Sequence, residues 1–143
     1  MIRLALKHDI NRVFLWRNSP EIIKSGGSNS PALWDDHISW FSHATKGLDT
    51  LLYIIEPKCG VVRLDKKTDS AEISIYLLPE FQNQGRGTAA IKSATKKAFD
   101  YWQIKEVVAY VLEDNEVSIR TFEKAGYFNQ PSGRDGHVCM VRE

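Results

Sequence analysis

Residues 82–88 read Gln82-Asn83-Gln84-Gly85-Arg86-Gly87-Thr88, and the rest of the chain is best understood from this turn outward. A strand-like run, Ala71 to Leu78, and Pro79 precede it. After it, Ala89, Ala90, Ile91, Ala94, Ala98, Phe99 and Trp102 recur at helical spacing, which predicts a long helix with one apolar face. A strand, a glycine turn and a helix start make an anion site. The first amides of a helix have no internal partner, and that end of its dipole is positive. Glycine admits a phosphate close to the backbone because no Cβ intervenes. Together these features suit a pyrophosphate. The turn lacks the lysine-bearing pattern of an NTPase loop and the third glycine of a dinucleotide fingerprint. Taken alone, Gly-x-Gly also fits a plain helix entry.

Upstream, Leu51–Ile55, Gly60–Leu64 and Ala71–Leu78 are short apolar runs separated by tight turns, an antiparallel meander. Before them, residues 2–6 alternate as a strand. His8 to Asn18 has helical spacing with Asp9 able to cap it, and Ser19-Pro20 opens a second short helix. Gly26–Pro31 is a loop, and Asp36–Lys46 is a third helix with Ile38, Phe41 and Ala44 on one side. Downstream, Val107–Leu112 is the most apolar strand, and Val117–Lys124 is a helix stopped by Gly126. A ribbon ends near Val138–Val141. The sum is a mixed α/β (α+β) architecture over residues 1–143, expected to form a single domain.

Composition narrows the function classes. The chain has 143 residues, 43% of them hydrophobic and 26% charged, and a formal net charge of +1. That size and balance suit one folded domain. So small a charge supplies no field for a nucleic-acid backbone, so no nucleic-acid partner is expected. No apolar run approaches the ~20 residues of a membrane span, so no membrane partner is expected either. Met1-Ile2-Arg3-Leu4 starts a strand pattern and not a signal peptide. Cys59 and Cys139 match no zinc spacing; no metal is implied, and a reducing cytoplasm is the expected setting.

Gln82-x-x-Gly85-x-Gly87 resembles the acetyl-CoA pyrophosphate loop, Q/R-x-x-G-x-G/A, of the GNAT superfamily of N-acetyltransferases. Asn115-Glu116-Val117-Ser118-Ile119-Arg120-Thr121-Phe122-Glu123-Lys124-Ala125-Gly126-Tyr127 is similar to the superfamily's downstream N…(S/A)…(Y/F)EK-x-G-(F/Y) helix. The resemblance implies the GNAT fold, a mixed, mostly antiparallel central sheet that splays and is flanked by helices. It implies acetyl-CoA as co-substrate, in the notch between strands 71–78 and 105–112. Gln82, Asn83, Gln84, Gly85, Arg86, Gly87 and Thr88 hold the pyrophosphate in this reading. Leu77 and Leu78 pair with the pantetheine arm as a further strand. Asn115 and Ser118 match positions that contact the pantetheine or thiol end, and Asn115 also suits a helix cap.

For the chemistry, Glu72 resembles the strand glutamate that serves as base in many members; an ordinary ion pair is the competing role. Glu113 is the second candidate. Phe122 stands where many members carry a tyrosine general acid, so another group or water must protonate the thiolate. A backbone amide near Leu77 is the expected oxyanion donor. Arg17 and His37 match nucleotide-binding positions of the branch that acetylates amino groups on nucleotide-linked sugars. Arg63 sits at another polar contact of that branch, and Tyr76 lines the sugar side. Arginine binds phosphate bidentately, and aromatic rings stack on bases; a helix-surface role for His37 and core roles for Trp16 and Trp40 compete. The expected reaction is direct transfer, in a ternary complex, to a primary amine of a small acceptor such as a nucleotide-linked sugar. A protein N-terminus, another small amine, or CoA binding without catalysis are the alternatives. Homodimers are common among such small domains, but the sequence marks no partner face.

Overall fold

The computed structural model describes residues 1–26 and 31–143; residues 27–30 of the expected loop lie outside the described residues. The strands are β1 (Ile2–Leu4), β2 (Thr50–Ile55), β3 (Gly60–Lys66), β4 (Ser70–Leu77), β5 (Glu106–Leu112), β6 (Phe128–Gln130) and β7 (His137–Arg142). They form a sheet in the order β1-β2-β3-β4-β5-β7-β6. β4 and β5 run parallel, and the other neighbours are antiparallel. The helices are α1 (Ile10–Arg17), α2 (Pro20–Gly26), α3 (Trp34–Ala44), α4 (Arg86–Tyr101) and α5 (Glu116–Lys124). The mixed α/β fold expected from the sequence is the fold observed.

Each face of the sheet has its own core. On one, α4 buries Ala90, Ile91, Ala94 and Ala98 against Val62, Leu64, Ile73, Val107 and Ala109, and Phe122 of α5 joins them. The small side chains let α4 lie close to the sheet. On the other face, Val13 of α1 and Phe41 and Ala44 of α3 pack on Leu52, Ile54 and Val61. Strand β2 is buried along its whole length because both faces are covered, which explains its unbroken apolar run, Leu51 to Ile55. In β5 the burial alternates: Val107, Ala109 and Val111 are buried, and Val108, Tyr110 and Leu112 are half-buried on the opposite face.

Two helix boundaries differ from expectation. The segment expected as a helix from His8 opens with a single 3-10 turn, Lys7–Asp9. Asp9 does not cap α1 through its side chain. It is fully buried and accepts hydrogen bonds from the Leu6 amide, Arg3 and Arg12 instead. Burial opposes its charge, but the bonds from Arg3 and the Leu6 amide prevail and hold its pKa at about 2. The third helix starts at Trp34, two residues before the expected Asp36, and stops at Ala44. Its inner face is His37, Phe41 and Ala44, while Ile38 is 39% exposed.

The feature that makes the site is a break in the ladder. β4 and β5 pair only at Ser70 with Glu106, Ala71 with Val107 and Glu72 with Val108. Beyond these the strands diverge. Ile73–Tyr76 and Ala109–Leu112 become the walls of a cavity of about 380 Å³.

Candidate active site

The glycine turn sits at the open end of this splay. Gly85 has φ +78°, a left-handed conformation that a side chain disfavours, and it directs the chain into α4. A Cβ on Gly87 would stand 3.2 Å from Thr121 Cγ2 and 3.4 Å from Leu77 Cδ1, so glycine there lets α4, α5 and β4 meet. Gln82 Nε2 donates to the Leu77 carbonyl at 3.0 Å and ties the loop to the end of β4. Gln84 Nε2 donates to the Glu80 carbonyl at 3.1 Å, and Arg86 Nε donates to Gln84 Oε1 at 3.2 Å. The first internal bond at this helix end is from the Ala89 amide to the Gly85 carbonyl, 3.2 Å. The amides of Arg86, Gly87 and Thr88 precede it and are available to an anion.

The backbone of β4 sorts its own donors. Leu78 donates its amide to Cys59 at 2.8 Å, on the β3 side. Hydrogen bonding in an antiparallel pair alternates, so the Leu77 amide faces the splay. Of the two residues expected to meet a pantetheine arm, Leu78 has its amide occupied, and the donor toward the notch is Leu77. Across the gap Asn115 Oδ1 accepts the Ser118 amide at 3.2 Å and caps α5, and both residues line the cavity. Phe122 is buried, lines the cavity floor and stacks edge-on with Tyr127 at 5.1 Å.

The other half of the cavity belongs to the α1–α3 face. Arg17 and Arg63 both lie over the Trp40 ring, 4.8 and 5.5 Å from its centroid. Burial first, and the like charge of Arg63 second, push the Arg17 guanidinium below its ordinary range. Arg63 Nε is 3.0 Å from Asp65 Oδ2, but its N–H does not aim at that oxygen and has no hydrogen-bond partner. Tyr76 places a buried hydroxyl beside them, also unpartnered, and burial drives its pKa well up. His37 is fully buried, among Phe14, Trp34, Trp40 and Phe41, and is not part of the cavity wall. Its Nε2–H donates to the Ile10 carbonyl at 2.8 Å, which leaves Nδ1 to accept from Arg17 at 3.3 Å. Burial pushes the pKa of this ring down, which favours its neutral form. His37 holds Arg17 in place and does not reach the cavity.

The geometry has sequence counterparts. The description "Acetyltransferase (GNAT) domain" matches residues 1–127. The chain belongs to the GNAT acetyltransferase family. An uncharacterized protein of Methanocaldococcus jannaschii is 29% identical over 94% of this chain and 29% of its own length. The acetyltransferase PseH of Campylobacter jejuni is 21% identical over 92% of this chain and 85% of its own. This GNAT chain thus spans under a third of the first relative. Among solved structures, the spermidine N-acetyltransferase of Vibrio cholerae, in complex with CoA and spermine, shares the fold. Its TM-score is 0.85 at 17% identity, covering 99% of this chain and 94% of that one.

Within this GNAT domain the two carboxylates singled out from the sequence stand apart from the cavity wall. Glu72 shares a β4 face with Ser74 and Tyr76, but its Oε1 accepts from Arg134 at 3.3 Å. Glu113 is exposed, and its amide donates to the Gly136 carbonyl at 3.0 Å. Sequence reading missed Trp40 as a platform shared by two arginines. It missed Asn18, which grips Ala32 with bonds of 2.7 and 3.0 Å. It also missed Arg134 and His137. No local motif marks these residues; only the strand register of β5 with β7 brings them to the site.

Proposed function

We propose that this chain transfers the acetyl group of acetyl-CoA directly to a primary amine on an acceptor that carries negative charge, an amino sugar on a nucleotide carrier. The observation that carries the reading is the charge of the cavity wall. Among the described residues it contains Arg17 and Arg63 and no carboxylate. Burial and the like charge of Arg63 both act against the Arg17 guanidinium, which has no carboxylate partner among the described residues, whereas Arg63 lies 3.0 Å from Asp65; an anion at Arg17 relieves this. The N–H of Arg63 and the hydroxyl of Tyr76 are buried at this wall without a hydrogen-bond partner among the described residues, donor capacity that no protein group uses. A polyamine or an aminoglycoside is a cation and gains nothing from such a wall.

In this reading Gln82, Asn83, Gln84, Gly85, Arg86, Gly87 and Thr88 hold the pyrophosphate, and the Leu77 amide faces the thioester. Asn115 and Ser118 flank the thiol end, and Phe122 closes it with an apolar wall. Arg17, Arg63 and Tyr76 bind the acceptor, with His37 behind Arg17. Glu72 and Glu113 keep a catalytic role only if their loss reaches the chemical step. The two buried, unpaired cysteines fit a reducing cytoplasm.

The test is a turnover panel with acetyl-CoA and four acceptors: UDP-glucosamine, free glucosamine, spermidine and an N-terminal peptide. The expected result is release of CoA thiol with the nucleotide sugar and far less with free glucosamine. A preference for spermidine or the peptide would reject the acceptor. Binding of CoA without turnover on any of them would reject the enzyme.

A further inference from the structure

The acetyl-transfer reading leaves the proton acceptor unnamed, and the cavity wall supplies one. Among the described residues, five titratable side chains line it: Arg17, Arg63, Tyr76, Tyr110 and His137. A guanidinium does not lose its proton near neutral pH. A phenol keeps its own to about pH 10, and burial pushes Tyr76 higher. That leaves one imidazole. His137 starts β7 opposite Leu112, on the sheet face that also carries Tyr110, at the open end of the splay. Its ring is oriented: Nδ1 is 2.9 Å from the Asp135 carbonyl oxygen. A carbonyl only accepts, so in the neutral ring the proton is on Nδ1 and the lone pair is on Nε2. The turn that carries the ring is pinned by the His137 amide to the Arg134 carbonyl, 3.2 Å, and by the Glu113 amide to the Gly136 carbonyl, 3.0 Å.

The charged groups around the ring are few. Arg134 and Asp135 belong to its own turn, Glu113 directly follows β5, Tyr110 faces it from β5, and Glu72 reaches the same side from β4. Arg134 binds Glu72 at 3.3 Å and covers the Tyr110 ring at 3.9 Å. The carboxylate nearest the splay is thereby engaged with a cation.

We propose that His137 Nε2 is the general base of acetyl transfer. It takes one proton from the acceptor ammonium and frees the amine lone pair. Nitrogen then bonds to the thioester carbon, and the C–S bond breaks. The departing thiolate takes the second proton from the new amide nitrogen, directly or through water, to give CoA–SH. His137 returns its proton to solvent, so each turnover releases one proton. The proposal rests on acetyl transfer and not on the identity of the acceptor.

Wild type, His137→Gln, His137→Ala and Glu72→Gln are compared across about pH 5.5 to 9 with whichever panel amine wild type acetylates best. The expected outcome is a kcat for His137→Gln down by about 10²-fold, with both KM values little changed. The acid limb of the wild-type profile gives way to a rate that climbs with hydroxide. Added imidazole restores part of the activity of His137→Ala. A titration of the His137 ring by NMR, which needs no variant, should follow the same acid limb. A wild-type profile in His137→Gln, or loss of the acid limb in Glu72→Gln alone, overturns the proposal. So does a ring that stays protonated on Nε2 throughout. Turnover on an amine other than the nucleotide sugar overturns only the acceptor; no turnover on any amine overturns both.

Discussion

The two faces of the sheet are built from different materials. The α4–α5 face is aliphatic and close-packed, with small residues of α4 against Val and Ile. Its glycine turn is a local stretch, residues 82–88, that presents backbone amides and two glycines at the start of α4. The α1–α3 face is aromatic and cationic: Trp40, two arginines, a neutral histidine and an orphan tyrosine hydroxyl. These come from α1, α3, β3 and β4, held in register by a buried histidine and an asparagine clasp. A backbone cradle recognises one fixed group, such as a pyrophosphate. A side-chain cavity discriminates by the groups that several distant elements bring together. The contrast teaches that one face depends on a local backbone shape and the other on tertiary assembly.

The largest change expected on the cationic face is in stability. Asp9→Asn removes a buried charge that answers Arg3, Arg12 and the Leu6 amide, and should cost about 3 kcal/mol. A chemical denaturation curve checks this, and a loss below about 1 kcal/mol would mean that the cluster is decorative. Next, Arg17→Gln should lower kcat/KM for the nucleotide-linked acceptor by about 10²-fold, the scale of a lost charged hydrogen bond, while KM for acetyl-CoA holds. Equal losses for both substrates would erase the distinction between the faces. On the other face, Gly85→Ala forces a side chain into a left-handed conformation at about 1 kcal/mol. Calorimetry should then show CoA bound about fivefold more weakly and the acceptor unaffected. The smallest effect is His37. Its folded pKa is depressed, so the unfolded chain binds the extra proton first. Stability is full above the unfolded value of about 6.5 and declines as pH falls from there toward the lower folded value. His37→Gln should flatten that part of the profile, measured as Tm against pH.

Element positions were legible because period and punctuation carried them: the meander, the long helix after the glycine turn, and the helix from residue 116 all stand within a residue or two of the expected bounds. Asp9 was misread because a cap and a buried ion-pair centre use the same residue type at the same place, and only the approach of Arg3 from β1 separates them. His37 was legible as a polar position on a helix but not as a buried one. Its burial depends on Phe14 and Trp34 closing over it. Glu72 matched a strand position, yet Arg134, 62 residues later, determines what that carboxylate can do.

By itself the sequence determined the class of fold, the glycine turn before the long helix and the apolar faces that bury α4 and β2, because each depends on neighbours within a few residues. The tertiary structure decided that β4 and β5 part after Glu72, that two arginines share one tryptophan, and that His137 stands at the cavity with its Nε2 free. Those outcomes are set by strand register and by packing between distant segments. A shift of one residue turns each side chain to the other face of the sheet.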